Sequence, residues 1–467
     1  MILTAHYVLP VTEDLLVNGI VHGAVLVSGN KIADMGTAAE VCSRHPEEQV
    51  VDFGEAALVP GFVDCHTNLE TSILRGITND ASYVSWRAYL MRKERLLDER
   101  DWRDSALMGA YEAVRSGITT VADVTRRGYS VEALRRLGMR GVVYREVGAR
   151  TREQITTNME RAADDIESWQ AQGEGGLLSY GIASESVYTC HPEMLGEVSR
   201  YATQRGLPVC VDVAGSIEEY NFIKYGHTPF ASFIEGDPTD LSATDMQSPA
   251  ILPTDCSPVQ YVQMWNILDV PDVLAVNCVK VDDADIASLA ERGVSVAVCS
   301  RANAKLGMGV APVIAMRKAG ITVGLGTSTS AACDSLDPID EMRFTLLVQR
   351  AVGGRDGFIT SPDMMRMGTL ESARALGLDD RIGSLEVGKL ADIVAVDLSH
   401  SSQVPTHFPN SAVIHTSDRD DVIMTMIDGK VVYDARDEIA QMRTIDVREI
   451  SRAVDDIRSA RTKLRVR

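Results

Sequence analysis

The sequence is short of positive charge. Against 66 Asp and Glu it has 46 Lys and Arg, a formal charge of −20. Nucleic acids and anionic membrane surfaces are gripped by Lys and Arg, so neither is expected as a partner. Long apolar runs are missing too, and none approaches the ~18 residues of a membrane span. The opening MILTAHYVLP has no basic stretch leading into an apolar one, so no secretory leader is expected. The eight cysteines include no Cys-x-x-Cys pair, and Cys65, Cys210, Cys278 and Cys299 lie in apolar runs. That pattern suits buried free thiols in a reducing cytosol better than disulfides or a zinc knuckle. Histidine is scarce through the middle of the chain. Between residues 58 and 384 only His66, His191 and His227 occur.

What remains is ample for folding. A chain of 467 residues that is 45% hydrophobic buries a large core, and one big domain plus a small one is the natural division. Residues 1–57 and 385–441 carry short β-rich runs with hairpin signals at Ser28-Gly29-Asn30-Lys31 and at Asp428-Gly429. The two chain ends are expected to build one β-sandwich. Between them, residues 58–384 alternate. Apolar strand candidates fall around 58–64, 118–123, 140–146, 177–183, 208–214, 273–278, 293–299 and 321–327, with helical stretches such as DWRDSALMGAYEAVRSG between them. The pattern predicts an α/β protein, a (β/α)8 TIM barrel with a composite β-sandwich domain. Working residues in such barrels stand at the carboxyl ends of the strands.

Two segments fall outside the alternation. The 215–265 connection, rich in Pro, Asp, Ser and Thr, reads equally as a lid or partner surface and as a tolerated insertion. Residues 442–467 read as a C-terminal helix: Asp446 and Glu449 suit a capping box, and Ile450, Val454, Ile457 and Leu464 recur at helical spacing. That helix is expected to pack on the sandwich or on a neighbouring subunit.

Five stretches are specific: PGFVDCHTNLETSILRG at 60–76, SGITTVADV at 116–124, SRANAKLGMGVAPV at 300–313, VGLGTSTSAACDSLDPIDEMR at 323–343 and IGSLEVGKLADIVAVDL at 382–398. Together they resemble the amidohydrolase superfamily, in its branch of cytosine, S-adenosylhomocysteine and aminodeoxyfutalosine deaminases and triazine chlorohydrolases. The resemblance covers nearly the whole chain and implies the same barrel and composite sandwich. It also implies one zinc or iron, held by a His-x-His pair on the first strand, a histidine each on strands five and six, and an aspartate on strand eight. A glutamate three residues after the strand-five histidine moves protons. Such a metal lowers the pKa of bound water to ~7.

This chain departs from that set at almost every position. His66 is kept, but Asn68 replaces its partner. Asp212 stands at the strand-five histidine, Gly215 at the proton-moving glutamate, Asn277 at the strand-six histidine and Ser328 at the strand-eight aspartate. Glu185 takes the place of a substrate-touching histidine after strand four, and Lys280 that of a second strand-six histidine. The rim residues Glu70, Arg75, Arg301 and Asn303 are present in type. Neutral amides are poor zinc ligands, and a hard ion would want more carboxylates, so neither metal nor cofactor is expected.

The leading expectation is therefore metal-independent acid–base chemistry on a small polar, nitrogen-containing molecule: hydrolysis, elimination or isomerisation. His66, Asp212, Glu185 and Lys280 are the candidate catalytic groups. Asn68, Glu70, Arg75, Asn277, Arg301, Asn303 and Ser328 are the candidate substrate contacts. A catalytically silent ligand-binding or partner subunit and a residual metal-dependent deaminase stay open. So do plain structural roles: an Asp212–Lys280 salt bridge, a Glu185–Arg75 pair, a structural Asp123 and Met308 as wall. Cys299 reads as an inert buried thiol. A cytoplasmic homodimer is the expected form, the dimer by analogy with the resembling family.

Overall fold

The computed structural model describes residues 1–12, 19–78, 80–173, 176–226, 253–355, 357–437 and 442–464. Its centre is a ring of eight strands, here the first to eighth barrel strands: Phe62–Thr67, Ile118–Thr125, Arg140–Val147, Leu178–Ser184, Val209–Val213, Val273–Asn277, Ser295–Val298 and Val323–Leu325. They pair in chain order and in parallel. Backbone bonds bring the ends together: Ser328 N donates to His66 O at 2.7 Å and Asn68 N to Ser328 O at 3.0 Å. All eight residues of the second strand are buried, as a strand covered on both faces must be. Helices supply the outer cover. Glu99–Arg115, for example, starts at Asp98, whose carboxylate accepts from Arg100 N and Asp101 N.

Both chain ends share a second, mixed sheet of eight strands. Ile2–Val8, Ile20–Ser28, Lys31–Thr37, Val50–Asp52 and Ala56–Pro60 come from the N-terminal side; Ile393–Asp397, Val422–Ile427 and Lys430–Asp434 come from the C-terminal side. The seam is the antiparallel pair of Ile393–Asp397 with Ala56–Pro60. Asp428 and Gly429, at φ 51° and 74°, make the last hairpin turn. Arg140 on the third barrel strand rivets this sheet to the barrel. Its guanidinium donates to both oxygens of Asp392, at 2.9 and 3.1 Å, with both side chains buried.

Three expectations need amending. Residues 58–64 are not one strand: Ala56–Pro60 belongs to the outer sheet and Phe62–Thr67 to the barrel. They part at Gly61, where a Cβ would collide with the Thr119 side chain. The C-terminal helix, Val447–Leu464, packs on helix Glu99–Arg115 of the same chain rather than on the sheet. It buries Ile450, Ala453 and Ala460, and Lys463 Nζ reaches Asp98 and Asp101 at 2.7 Å. Of the 215–265 connection, residues 227–252 lie outside the described residues, His227 and the lid reading with them. The flanks form helices Ile217–Tyr225 and Pro258–Met264. Among the described residues no helix is long and apolar enough to cross a membrane.

Candidate functional site

The carboxyl ends of the barrel strands open on a cavity of about 140 Å³. Its floor begins at His66. The neighbouring Asp64 carboxylate accepts from His66 N at 3.2 Å and from Thr327 N at 2.9 Å, tying the first strand to the end of the eighth. Burial pushes the His66 imidazole down to about 4, with Glu146 pulling weakly the other way, so the ring is neutral at pH 7. Its Nδ1 is buried and, among the described residues, has no hydrogen-bond partner.

Asp212 faces the cavity from the fifth strand, and its Oδ1 accepts from Asn277 Nδ2 at 2.8 Å. Burial raises the Asp212 pKa, while the Asn277 hydrogen bond and the Arg87 charge oppose the rise. Asn68 and Ser328 complete the ring of strand-end side chains on the wall. Ala214, Asn277, Cys278 and Ser328 all have positive φ, from 45° to 73°. Non-glycine residues cost roughly 1–3 kcal/mol each in such conformations, and they gather where strand ends must aim side chains at a site.

Of the residues named from sequence, His66, Asn68, Glu70, Asp212, Asn277, Asn303 and Ser328 line this cavity. Two of them differ sharply in how they are held. Glu70 is fully engaged, accepting from Thr125 Oγ1 at 2.6 Å, Tyr129 N at 2.8 Å and the amides of Arg126 and Arg127 at 3.3 Å. Asn303 is only 1% exposed, yet neither its Oδ1 nor its Nδ2 has a partner. A buried amide without partners costs about 1–3 kcal/mol.

Glu185, Lys280, Arg75 and Arg301 do not line it. Glu185 pairs with Arg150 at 2.9 Å and Arg126 at 3.4 Å, not with Arg75. Arg75 instead binds the Glu112 carboxylate and Ser330 Oγ. Arg301 braces the loop after the eighth strand through Cys333 O at 2.8 Å and Ser335 Oγ at 2.7 Å. Lys280 turns toward Gly309, and among the described residues it makes no ion pair with Asp212. Asp123 is wholly buried and accepts from Leu69 N at 2.9 Å, a structural duty. Met308 is wall, and it fills the room beside Gly215: a Cβ there would meet Met308 Cε at 2.9 Å. His191 caps helix Pro192–Arg205 by accepting from Glu193 N. Cys299 is buried, its thiol pushed up well above the usual range by desolvation.

Sequence reasoning passed over one whole wall. Helix Tyr83–Glu94 lays Tyr83, Trp86, Arg87, Leu90 and Glu94 along the cavity. Their spacing of three and four residues was a legible helical stripe, and an arginine within it was the signal. The helix is pinned by Tyr83 N to Leu306 O at 3.0 Å and by Trp86 Nε1 to Ala331 O at 3.1 Å. Tyr83 and Tyr188 hydroxyls lie 2.7 Å apart. Arg126 and Glu146, paired at 2.7 Å, close the side under the second and third strands. Among the described residues no group of three or more His, Cys, Asp or Glu is placed to hold a metal ion.

A closed parallel barrel with a composite outer sheet and a polar cavity at its strand ends defines a class, and the chain matches the Amidohydrolase family over residues 57–432. It belongs to that family. Residues 23–47 also match the bacterial imidazolonepropionase-like composite domain. Among curated relatives is the 5-methylthioadenosine/S-adenosylhomocysteine deaminase of Pelotomaculum thermopropionicum, 29% identical over 422 residues and 89% of each chain. The Symbiobacterium thermophilum protein of the same name is 27% identical over 91% of this chain and 92% of that one. Among solved structures, a zinc-bound adenosine deaminase from Xanthomonas campestris superposes with TM-score 0.82 at 25% identity, covering 99% and 98% of the two chains. The atrazine chlorohydrolase of Arthrobacter aurescens, complexed with zinc, follows the same fold at TM-score 0.77 and 20% identity, with coverage of 98% and 99%.

Proposed function

We propose that this protein acts on a small, polar, nitrogen-containing molecule by acid–base chemistry that uses no metal. One observation carries the reading: the carboxylate at the centre of the strand-end ring, Asp212, is held by the Asn277 amide at 2.8 Å. The other strand-end positions where the family carries metal ligands hold one imidazole, His66, one further amide, Asn68, and one hydroxyl, Ser328. Zinc is bound by thiolate, imidazole and carboxylate in sets of three or four, and this donor set does not fit it. Met308 occupies the room a side chain at position 215 would need, which supports the loss of the usual proton carrier there. In this reading Asp212 takes the proton, helped by a desolvated setting that raises its pKa above the usual carboxylate value. Neutral His66 hydrogen-bonds the substrate through its unpartnered Nδ1. Asn68, Asn277, Asn303 and Ser328 orient the substrate. All eight cysteines are free, in keeping with a reducing cytosol, and a homodimer is the proposed assembly.

A second reading has its own support. The relatives named above are deaminases, and the Xanthomonas adenosine deaminase holds zinc, which favours a metal-dependent deaminase. Elemental analysis of protein purified without chelator separates the two. The metal-free reading expects well under one equivalent of transition metal, and a ligand-induced thermal shift that chelator leaves unchanged. It also expects turnover of that ligand to fall about 10²- to 10⁴-fold in Asp212→Asn. About one equivalent of zinc surviving dialysis would overturn it.

A further inference from the structure

The Tyr83–Arg87 wall has no part in the reading so far, and its chemistry is distinctive. Arg87 lines the cavity, yet among the described residues it makes no hydrogen bond or ion pair. The other two arginines on the wall are engaged: Arg126 by Glu146 and Glu185, and Arg127 by stacking 3.8 Å over the Trp102 ring. Burial works to depress the Arg87 pKa, and the nearby Tyr188 and Glu94 more than offset it, so the guanidinium stays charged. Beside it the Tyr83 hydroxyl faces the cavity, with Tyr188 at 2.7 Å behind. Burial raises both phenols, Tyr188 to about 12, so at neutral pH they are hydrogen-bond donors rather than anions. Hydrogen-bonded hydroxyls polarise one another, which strengthens the donor at the end of the pair.

We propose that Arg87 and Tyr83, with Tyr188 as a positioning residue behind Tyr83, form an oxyanion-stabilising cluster for an oxygen on a single-ring planar ligand. The assignment rests on the acid–base reading in one respect: Asp212 receives the proton. The charge then balances without any co-reactant. A ring O–H or N–H gives its proton to the Asp212 carboxylate, the electron pair of that bond stays on the ring, and the negative charge collects on the ring oxygen that Arg87 and Tyr83 face. Asp212 is neutral when the oxyanion exists, so the two do not repel. Preorganised donors in a water-poor site are worth far more to a developing anion than the same groups in water. This cluster thus supplies the electrophilic assistance for which related barrels use an ion. The cavity, about 140 Å³, has room for one six-membered ring, as an apolar cavity of similar size takes benzene. Trp86 offers such a ring a flat wall, and the unpartnered Asn303 amide offers its far edge one donor and one acceptor.

The test uses 4-nitrophenol, a one-ring probe whose ionisation changes its visible absorbance, titrated onto full-length protein after chelator treatment. The bound probe is expected to ionise about one pH unit below its value in solution. Arg87→Gln and Tyr83→Phe each abolish that shift. Tyr188→Phe reduces it, and Arg87→Lys keeps part of it, which separates loss of charge from loss of fold. The inference is overturned if the probe fails to bind at about 1 mM. It is equally overturned if the bound probe ionises at or above its solution value, or if Arg87→Gln keeps the full shift. A shift seen before chelation and lost after it would mean that a bound ion polarises the oxygen, which sinks both this assignment and the metal-free reading. A missing shift beside Asp212-dependent turnover sinks this assignment alone.

Discussion

At the scale of single residues, the site is defined by which polar groups have been left without partners. Asn303 is the sharpest case. Its amide is buried and unpaired in a protein that satisfies neighbouring Glu70 with four donors. Such a group carries a cost in stability, which a ligand's own polar groups would offset. Asn303→Leu, close in shape and without polar atoms, is therefore expected to raise the melting temperature by about one degree, on the order of 1 kcal/mol, while ligand affinity drops about tenfold or more. Thermal melts with and without ligand check both halves. A marked loss of ligand-free stability would show that the amide has a structural partner after all. The same contrast explains why Glu185 and Arg301 do not line the cavity. Each side chain is long enough to reach the nearest opposite charge or carbonyl, and each did so.

At the scale of elements, burial decides more than charge. Helix Val447–Leu464 is joined to helix Glu99–Arg115 by ion pairs, Arg100 with Asp456 and Lys463 with Asp98 at the surface and Lys463 with the buried Asp101 carboxylate. Exposed pairs of this kind contribute about 0–1 kcal/mol. Ile450, 5% exposed beneath the helix, is a packing residue. Urea denaturation should therefore find Lys463→Ala within about 1 kcal/mol of the parent and Ile450→Ala roughly 2–4 kcal/mol less stable. The opposite ranking would mean that the helix is held electrostatically. The cavity wall obeys the same rule. Helix Tyr83–Glu94 is fixed by the packing of Tyr83, Trp86 and Leu90, and that packing carries Arg87 to the cavity.

At the scale of the whole molecule, the barrel buries several carboxyls that are never fully compensated. Desolvation lifts Asp64 and Asp123 to about 7, and Glu219 and Glu341 to about 8. In the unfolded chain they titrate near 4, so between about pH 4 and pH 8 the folded state binds more protons. Their contribution is fullest below pH 4 and is lost as pH rises through 7 and 8. Neutral His66, pushed down to about 4, works in the other direction, losing stability as pH falls from about 6.5. Stability should therefore peak on the acid side of neutrality and fall by on the order of 1 kcal/mol or more between about pH 6 and pH 9. Glu341, whose Oε2 has no partner, is the residue to vary: Glu341→Gln should flatten that slope, as read by urea midpoints across the range. A midpoint that climbs toward pH 9 would contradict the assignment. The barrel was legible because parallel strands covered on both faces spell out continuous apolar runs, and chain order gives their neighbours. His66, Asn68, Asp212, Asn277 and Ser328 were legible because a strand end in such a barrel points at its mouth. Tyr83 and Arg87 were legible only as a helical stripe, not as a cavity wall: which face a loop helix turns inward depends on Leu306 and Ala331, more than 200 residues away in the chain. The amino-acid order by itself thus determined the barrel and the chemical character of its strand ends, because both follow from local period and position. Only the tertiary structure decided which charges are paired and which face the cavity, because a charge takes its nearest partner in space, as Arg140 takes Asp392 from 252 residues along the chain.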